Sequence, residues 1–294
     1  MIEPASRRLF LVALALQGAV LLVSAPLYIV AGLSIPLSSL GRQLIYPAFF
    51  GLVALLTARD RNGVPQALTA LAVLSMAFVT IGPTQYLAAA WGRPLIDDQL
   101  LAADAALGIN QAALVAWTNA HPQIRHALVL SYVSLLPQLI LPVVVLGFTD
   151  RRELWRYIYQ FECVAIVTII LFGLWPSGVI GEHGIPETIS QRPAMTQIIG
   201  LRDGTMTTIR FEEGVGIISF PSFHAAAALV VTWALRRTWC FWPIVALNAA
   251  LLASTVLLGI HYAIDVPGAV VVCAGSIAMG RGLRPWLEGS VHTG

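Results

Sequence analysis

Two short stretches of the sequence gather side chains that could bind an anion and attack it. In Ser219-Phe-Pro-Ser-Phe-His224, two hydroxyls and an imidazole fall within six residues. A serine ahead of a proline-led apolar run reads as a helix start, with Ser219 as its cap and Pro221 at an early position that needs no N–H donor. The free amides of that first turn, with Ser222 and His224 beside them, would face an anion, since a helix N-terminus is a ready phosphate site. The same residues also suit an ordinary capped helix with an interfacial histidine. In Gly259-Ile-His261-Tyr-Ala-Ile-Asp265, histidine and aspartate stand four apart, the spacing of one helical face. Asp265 could then accept one imidazole N–H and leave the other ring nitrogen free as nucleophile or base. A pair that merely satisfies two polar groups at a helix turn has the same spacing.

The elements that must position these residues lie in lipid. Of 294 residues, 57% are hydrophobic and only 11% charged, and mean hydropathy is +0.79. A soluble domain carries about 25% charged residues. That composition excludes a nucleic-acid binder and a disordered chain. Cys163, Cys240 and Cys273 lie in apolar stretches and are odd in number, so no disulfide scaffold is expected. The formal charge of +2 implies no polyanionic partner, and all 17 cationic side chains are arginine.

A membrane helix needs about 20 mostly apolar residues. Windows of that size predict an all-α polytopic bundle of eight spans, at 9–34, 43–58, 65–91, 126–148, 154–176, 216–235, 239–260 and 262–280. Arg7, Arg8 and a small-residue Val23-Ser24-Ala25 imitate a signal peptide, but the apolar run continues to Leu33 and reads as an uncleaved first span. Eleven arginines fall on one side of this arrangement (Arg7, Arg8, Arg59, Arg61, Arg151, Arg152, Arg156, Arg236, Arg237, Arg281, Arg284) and six on the other. Positive charge favours the cytoplasm. Both termini are therefore expected there, in a bacterial inner (plasma) membrane.

With that topology, His224, His261, Asp265 and Ser222 converge on the extracytoplasmic face. Two connecting segments share that side. In 92–123, Leu95, Leu100, Leu101, Ala105 and Leu107 mix with Asp97, Asp98 and Asp104, which suits a helix lying on the membrane surface better than a cation site. The other, 176–219, is longer than the roughly 12–15 residues usual for an unstructured loop, so a functional role is expected.

Residues 219–224 resemble the Pro-Ser-Gly-His motif of the type-2 phosphatidic acid phosphatase superfamily, with Phe223 in place of glycine. Residues 254–265 resemble its Ser-Arg-x5-His-x3-Asp motif, with Thr255 replacing arginine. The His-Tyr-x-x-Asp form is similar to the branch of inositol phosphorylceramide and sphingomyelin synthases. The resemblance covers roughly 65–284. It implies a six-helix core, with residues 1–64 as two added helices and 285–294 as a cytoplasmic tail.

By the same resemblance His261 attacks phosphorus and forms a phosphohistidine, and Asp265 orients it. His224 protonates the leaving oxygen and then activates the acceptor. Ser222, Phe223 and neighbouring amides hold the phosphate. No cofactor or metal is implied; the partners are a phospholipid or other lipid phosphate, an alcohol or water as acceptor, and the surrounding lipids. The family's Lys-x6-Arg-Pro motif is missing. Arg93-Pro94 and Arg192-Pro193 are the Arg-Pro pairs, preceded seven positions earlier by Tyr86 and Ile185. Arg202 and Arg210, in the loop that must cover the site, are the favoured replacements. Glu182 and His183 read as a solvated pair. The expected activity is lipid phosphatase or phosphotransferase; the alternative is a catalytically silent lipid-binding or transport protein on the same scaffold.

Overall fold

The computed structural model describes residues 4–60, 62–178 and 191–282, which leaves Glu182, His183 and the 285–294 tail outside the described residues. The described chain is an all-α bundle. Its helices are α1 (Pro4–Val30), α2 (Leu37–Leu56), α3 (Val64–Thr80), α4 (Thr84–Ala90), α5 (Asp97–Ala106), α6 (Gln111–Ala120), α7 (Pro122–Val133), α8 (Leu135–Thr149), α9 (Arg151–Leu174), α10 (Gln191–Asp203), α11 (Phe223–Ala234), α12 (Phe241–Leu257) and α13 (Asp265–Gly282).

The centre of the bundle is α9. Asp150 caps it by accepting the Glu153 N–H at 2.9 Å. Most of its length is buried against α1, α3, α4, α8, α11 and α13, the polar Gln160 and Glu162 included. In mid-helix, Gln17 of α1 donates to Glu162 at 2.6 Å and to the Val73 carbonyl at 3.0 Å, pinning α1 to α9 and α3. The run Ala225–Ala228 of α11 is wholly buried, and such small side chains let helices approach closely in lipid.

The spans differ in detail from the sequence reading. Among the described residues, four helices are long and apolar enough to cross a membrane: Ser6–Val30, Leu37–Leu56, Val64–Ala90 and Arg151–Leu174. The second is a full 20 residues, not the short segment expected. The span expected at 126–148 is the pair α7 and α8, bent by 45°. Those expected at 216–235 and 239–260 are the shorter helices α11 and α12. The 92–123 segment is not a single helix on a surface. It forms α5 and α6, bent by 82°, and the face of α5 carrying Asp97, Leu100 and Asp104 is buried. The spacing of those three puts them on one side of a helix, and that side packs inward.

The two ends of the bundle have different chemistry. At one, Glu153 binds Arg156 at 3.0 Å and Arg236 at 2.5 Å, and Arg236 and Arg281 both lie over the Trp233 ring. At the other, the α1–α2 connection meets the segment that leads towards α11. Ser34 N–H donates to Thr207 and Ile209 N–H to Ser34. Ser39 accepts the Phe211 N–H at 2.9 Å and donates to Glu212 at 2.7 Å, while Arg42 also binds Glu212. The Ser39 hydroxyl foremost, with Arg42 adding to it, holds the Glu212 carboxyl below its usual range.

Candidate active site

α12 and α13 meet in the turn that carries His261. α12 is closed by Gly259, whose φ of +70° is left-handed, the conformation a helix C-terminus commonly gives to glycine. The Thr255 carbonyl, left free by the helix end, accepts the N–H groups of Ile260 and His261 at 3.1 and 2.9 Å. The turn then folds onto α13, which begins at Asp265. The His–Asp pair therefore lies in a helix-entry turn, not along a helix face as its spacing suggested.

The pairing itself is present. His261 Nδ1 stands 2.9 Å from the Ser219 carbonyl and 3.1 Å from Asp265 Oδ2. Both neighbours are acceptors, so Nδ1 carries the hydrogen and Nε2 is the ring nitrogen left free. Asp265 Oδ2 also accepts the Tyr262 N–H at 3.1 Å. His261 and Asp265 are both buried.

The second motif reaches the same place from the other chain direction. Ser222, not Ser219, caps α11: its hydroxyl accepts the Ala225 N–H at 3.2 Å, and Pro221 precedes the helix. Ser222 N–H reaches the Asp265 carbonyl at 3.4 Å. Gly268 lies close beneath this approach, where a Cβ would sit 3.1 Å from the Pro221 side chain. His224, in the first turn, stacks on Tyr132 of α7 with ring centres 4.4 Å apart and planes 15° apart. The Tyr132 hydroxyl is 3.3 Å from His224 Nδ1, which leaves Nε2 available to a ligand. Phe223 sets its ring edge-on to Phe161 of α9.

His224 and His261 line one cavity of about 660 Å³. Its polar lining comes from Gln43, Gln85, Tyr86, Tyr132 and Ser219. Its floor is apolar and descends between α3, α8 and α9 past Ala77, Phe78, Leu139, Ala165 and Phe161. Gln85 also accepts the Ile217 N–H at 3.0 Å, which ties the segment before α11 to the cavity rim. A larger cavity of about 1360 Å³ lies between α1, α2 and α3, beside Arg59 and Arg151, and contains no histidine among its lining residues.

The structure thus brings together Ser222, Phe223, His224, His261 and Asp265. It does not bring Arg202 or Arg210 to the cavity. Arg202 donates to the carbonyls of Arg93 at 2.7 Å and Gly92 at 3.4 Å, and Arg210 faces Glu213 at 3.8 Å. Arg93 donates to the Leu174 carbonyl at 3.3 Å. Three participants were not singled out from sequence as site residues. Tyr132 and Gln85 carry no local motif, and Asp104 was read as part of a solvated face, although its oxygens accept the N–H groups of Ala263 and Ile264.

A family model described as the PAP2 superfamily matches residues 98–279, more than half of the chain. No curated protein and no solved structure matches it.

Proposed function

We propose that this chain, which belongs to the PAP2 superfamily, is an integral-membrane enzyme that cleaves or transfers a phosphate-containing lipid headgroup through a phosphohistidine on His261. The superfamily is one of membrane phosphatases and related phosphotransferases acting on lipid phosphates. The observation that carries the finer reading is the shared cavity: two histidines at its mouth and hydrocarbon walls below them. A lipid fits such a space with its phosphate at the histidines and its tail along α3, α8 and α9.

The chemistry follows from the two free ring nitrogens. His261 Nε2 attacks phosphorus and the bond to the leaving oxygen breaks, while His224, which enters the step as imidazolium, gives that oxygen its Nε2 proton and becomes neutral. Water or an alcohol then gives its proton to His224 and attacks the phosphohistidine, which returns His261 to its neutral form. Asp265 and the Ser219 carbonyl hold the Nδ1 hydrogen throughout and stabilise the positive ring formed on attack. The amides at the start of α11 face the anionic oxygens. Acid–base help of this kind contributes about 10²–10⁴-fold. The active face is the extracytoplasmic one, by the arginine distribution.

The test uses the purified chain in mixed micelles with phosphomonoester lipids, phosphodiester lipids and a water-soluble phosphate monoester. Turnover is expected on a lipid, with His261→Ala and His224→Ala folded and inactive. Adding a long-chain alcohol separates transfer from hydrolysis by the product formed. Lipid binding without turnover in the unaltered chain would support the silent-scaffold alternative instead.

A further inference from the structure

We propose that Asp104, with Gln111 and Asp97 supporting it, is a positioning residue that fixes the His261 turn from the bent helix pair α5–α6. The inference rests on the reading of His261 as nucleophile, and it assigns a role to a segment that carries no motif. Asp104 is fully buried, and its two oxygens accept the N–H groups of Ala263 at 2.8 Å and Ile264 at 2.9 Å. These amides immediately precede α13, where a helix leaves N–H groups without partners. A carboxylate from another helix therefore stands beside the positive end of α13.

The remaining contacts bear on the same turn. Gln111, also buried, donates through its amide nitrogen to the carbonyls of His261 at 3.0 Å and Val256 at 2.9 Å. Asp97 accepts the Tyr262 hydroxyl at 2.9 Å on one oxygen and the Gly178 N–H at 2.8 Å on the other. The Tyr262 ring is buried against Leu100 of α5 and Val115 of α6. Each residue from His261 to Ile264 is thus held by α5 or α6 through at least one hydrogen bond, while the Asp265 carboxyl is left to the imidazole and the Tyr262 N–H. Without Asp104, two adjacent, partly buried N–H groups would lose their acceptors, and the turn that aims His261 Nε2 would lose its fixed geometry.

Misplacing a reacting atom by about 1 Å costs on the order of 10²-fold. Asp104→Asn, which keeps one acceptor oxygen, is expected to lower kcat by about 10–100-fold on the best lipid of the panel while KM stays within about twofold, because substrate binding is not what it controls. Gln111→Met, which removes both amide bonds at similar volume, is expected to act in the same direction. The two variants are measured beside His261→Ala, each checked as monodisperse in detergent. If His261→Ala is inactive and both folded variants keep full kcat, or lose activity only through KM, the positioning role is overturned and the nucleophile reading stands. If the unaltered chain turns over no lipid, or His261→Ala is fully active, the nucleophile reading falls and this inference with it. Should Asp104→Asn fail to fold, Gln111→Met alone decides between those outcomes.

Discussion

Replacing Asp265 by asparagine isolates one part of the mechanism, because the structure gives His261 two acceptors. Where a carboxylate alone fixes a catalytic imidazole, its amide variant loses about 10⁴-fold through the wrong tautomer. Here the Ser219 carbonyl, at 2.9 Å from Nδ1, is closer than Asp265 at 3.1 Å and is backbone. It survives the substitution and keeps the hydrogen on Nδ1. What is lost is the negative charge facing a ring that becomes positive on attack. A hydrogen bond to a charged group is worth about 1.5–3 kcal/mol. At about 1.4 kcal/mol per decade, Asp265→Asn should lower kcat by about 10–150-fold and not more. The assay is steady-state release of headgroup or phosphate in mixed micelles, with folded protein counted by size exclusion. Full activity would remove Asp265 from the mechanism. A loss as complete as that of His261→Ala would refute the role given to the Ser219 carbonyl.

Three further outcomes follow from the geometry. Tyr132→Phe keeps the ring stacked on His224 but removes the hydroxyl at 3.3 Å, and should lower kcat by about tenfold or less, the worth of one ordinary hydrogen bond; unchanged kcat would show that the stack alone suffices. Ala165→Leu narrows the apolar floor of the cavity, and should raise KM for long-chain lipids more than for short-chain ones; equal effects across chain lengths would place the tail elsewhere. Single cysteines at the exposed positions Arg237 and Thr207 should label from opposite sides of the membrane, Thr207 from outside, since the native Cys163, Cys240 and Cys273 are buried; labelling of both from one side would overturn the orientation.

What the sequence disclosed was what its local patterns encode. The apolar windows located α1, α3 and α9, and His261 and Asp265 were visible because their spacing is short. Contacts across long separations were not visible. Tyr132 meets His224 across 92 residues, and Asp104 meets Ile264 across 160. For α5 the apolar pattern was read with the aspartates as its wet face. In the fold, Asp97 and Asp104 turn inward because the amides and hydroxyl of the 262–264 turn need acceptors there, and no periodicity records that need. Ser219 and Ser222 were told apart only by the backbone: the helix begins at Phe223, which makes Ser222 the cap and frees the Ser219 carbonyl for His261. Arg202 and Arg210 were chosen for charge and loop position, while their actual partners are the Gly92 and Arg93 carbonyls and Glu213.

The central claim is a covalent bond between phosphorus and His261 Nε2. The direct measurement is rapid quenching of the purified chain with a turned-over lipid carrying a labelled phosphorus, followed by proteolysis under alkaline conditions and mass spectrometry of the peptide containing residue 261. The account predicts label on His261, stable to base and lost in acid. It further predicts that label accumulates in His224→Ala when a substrate with a good leaving group is used, because the residue that activates the acceptor is missing. Label on another residue, or full turnover with no labelled protein at any quench time, would contradict it.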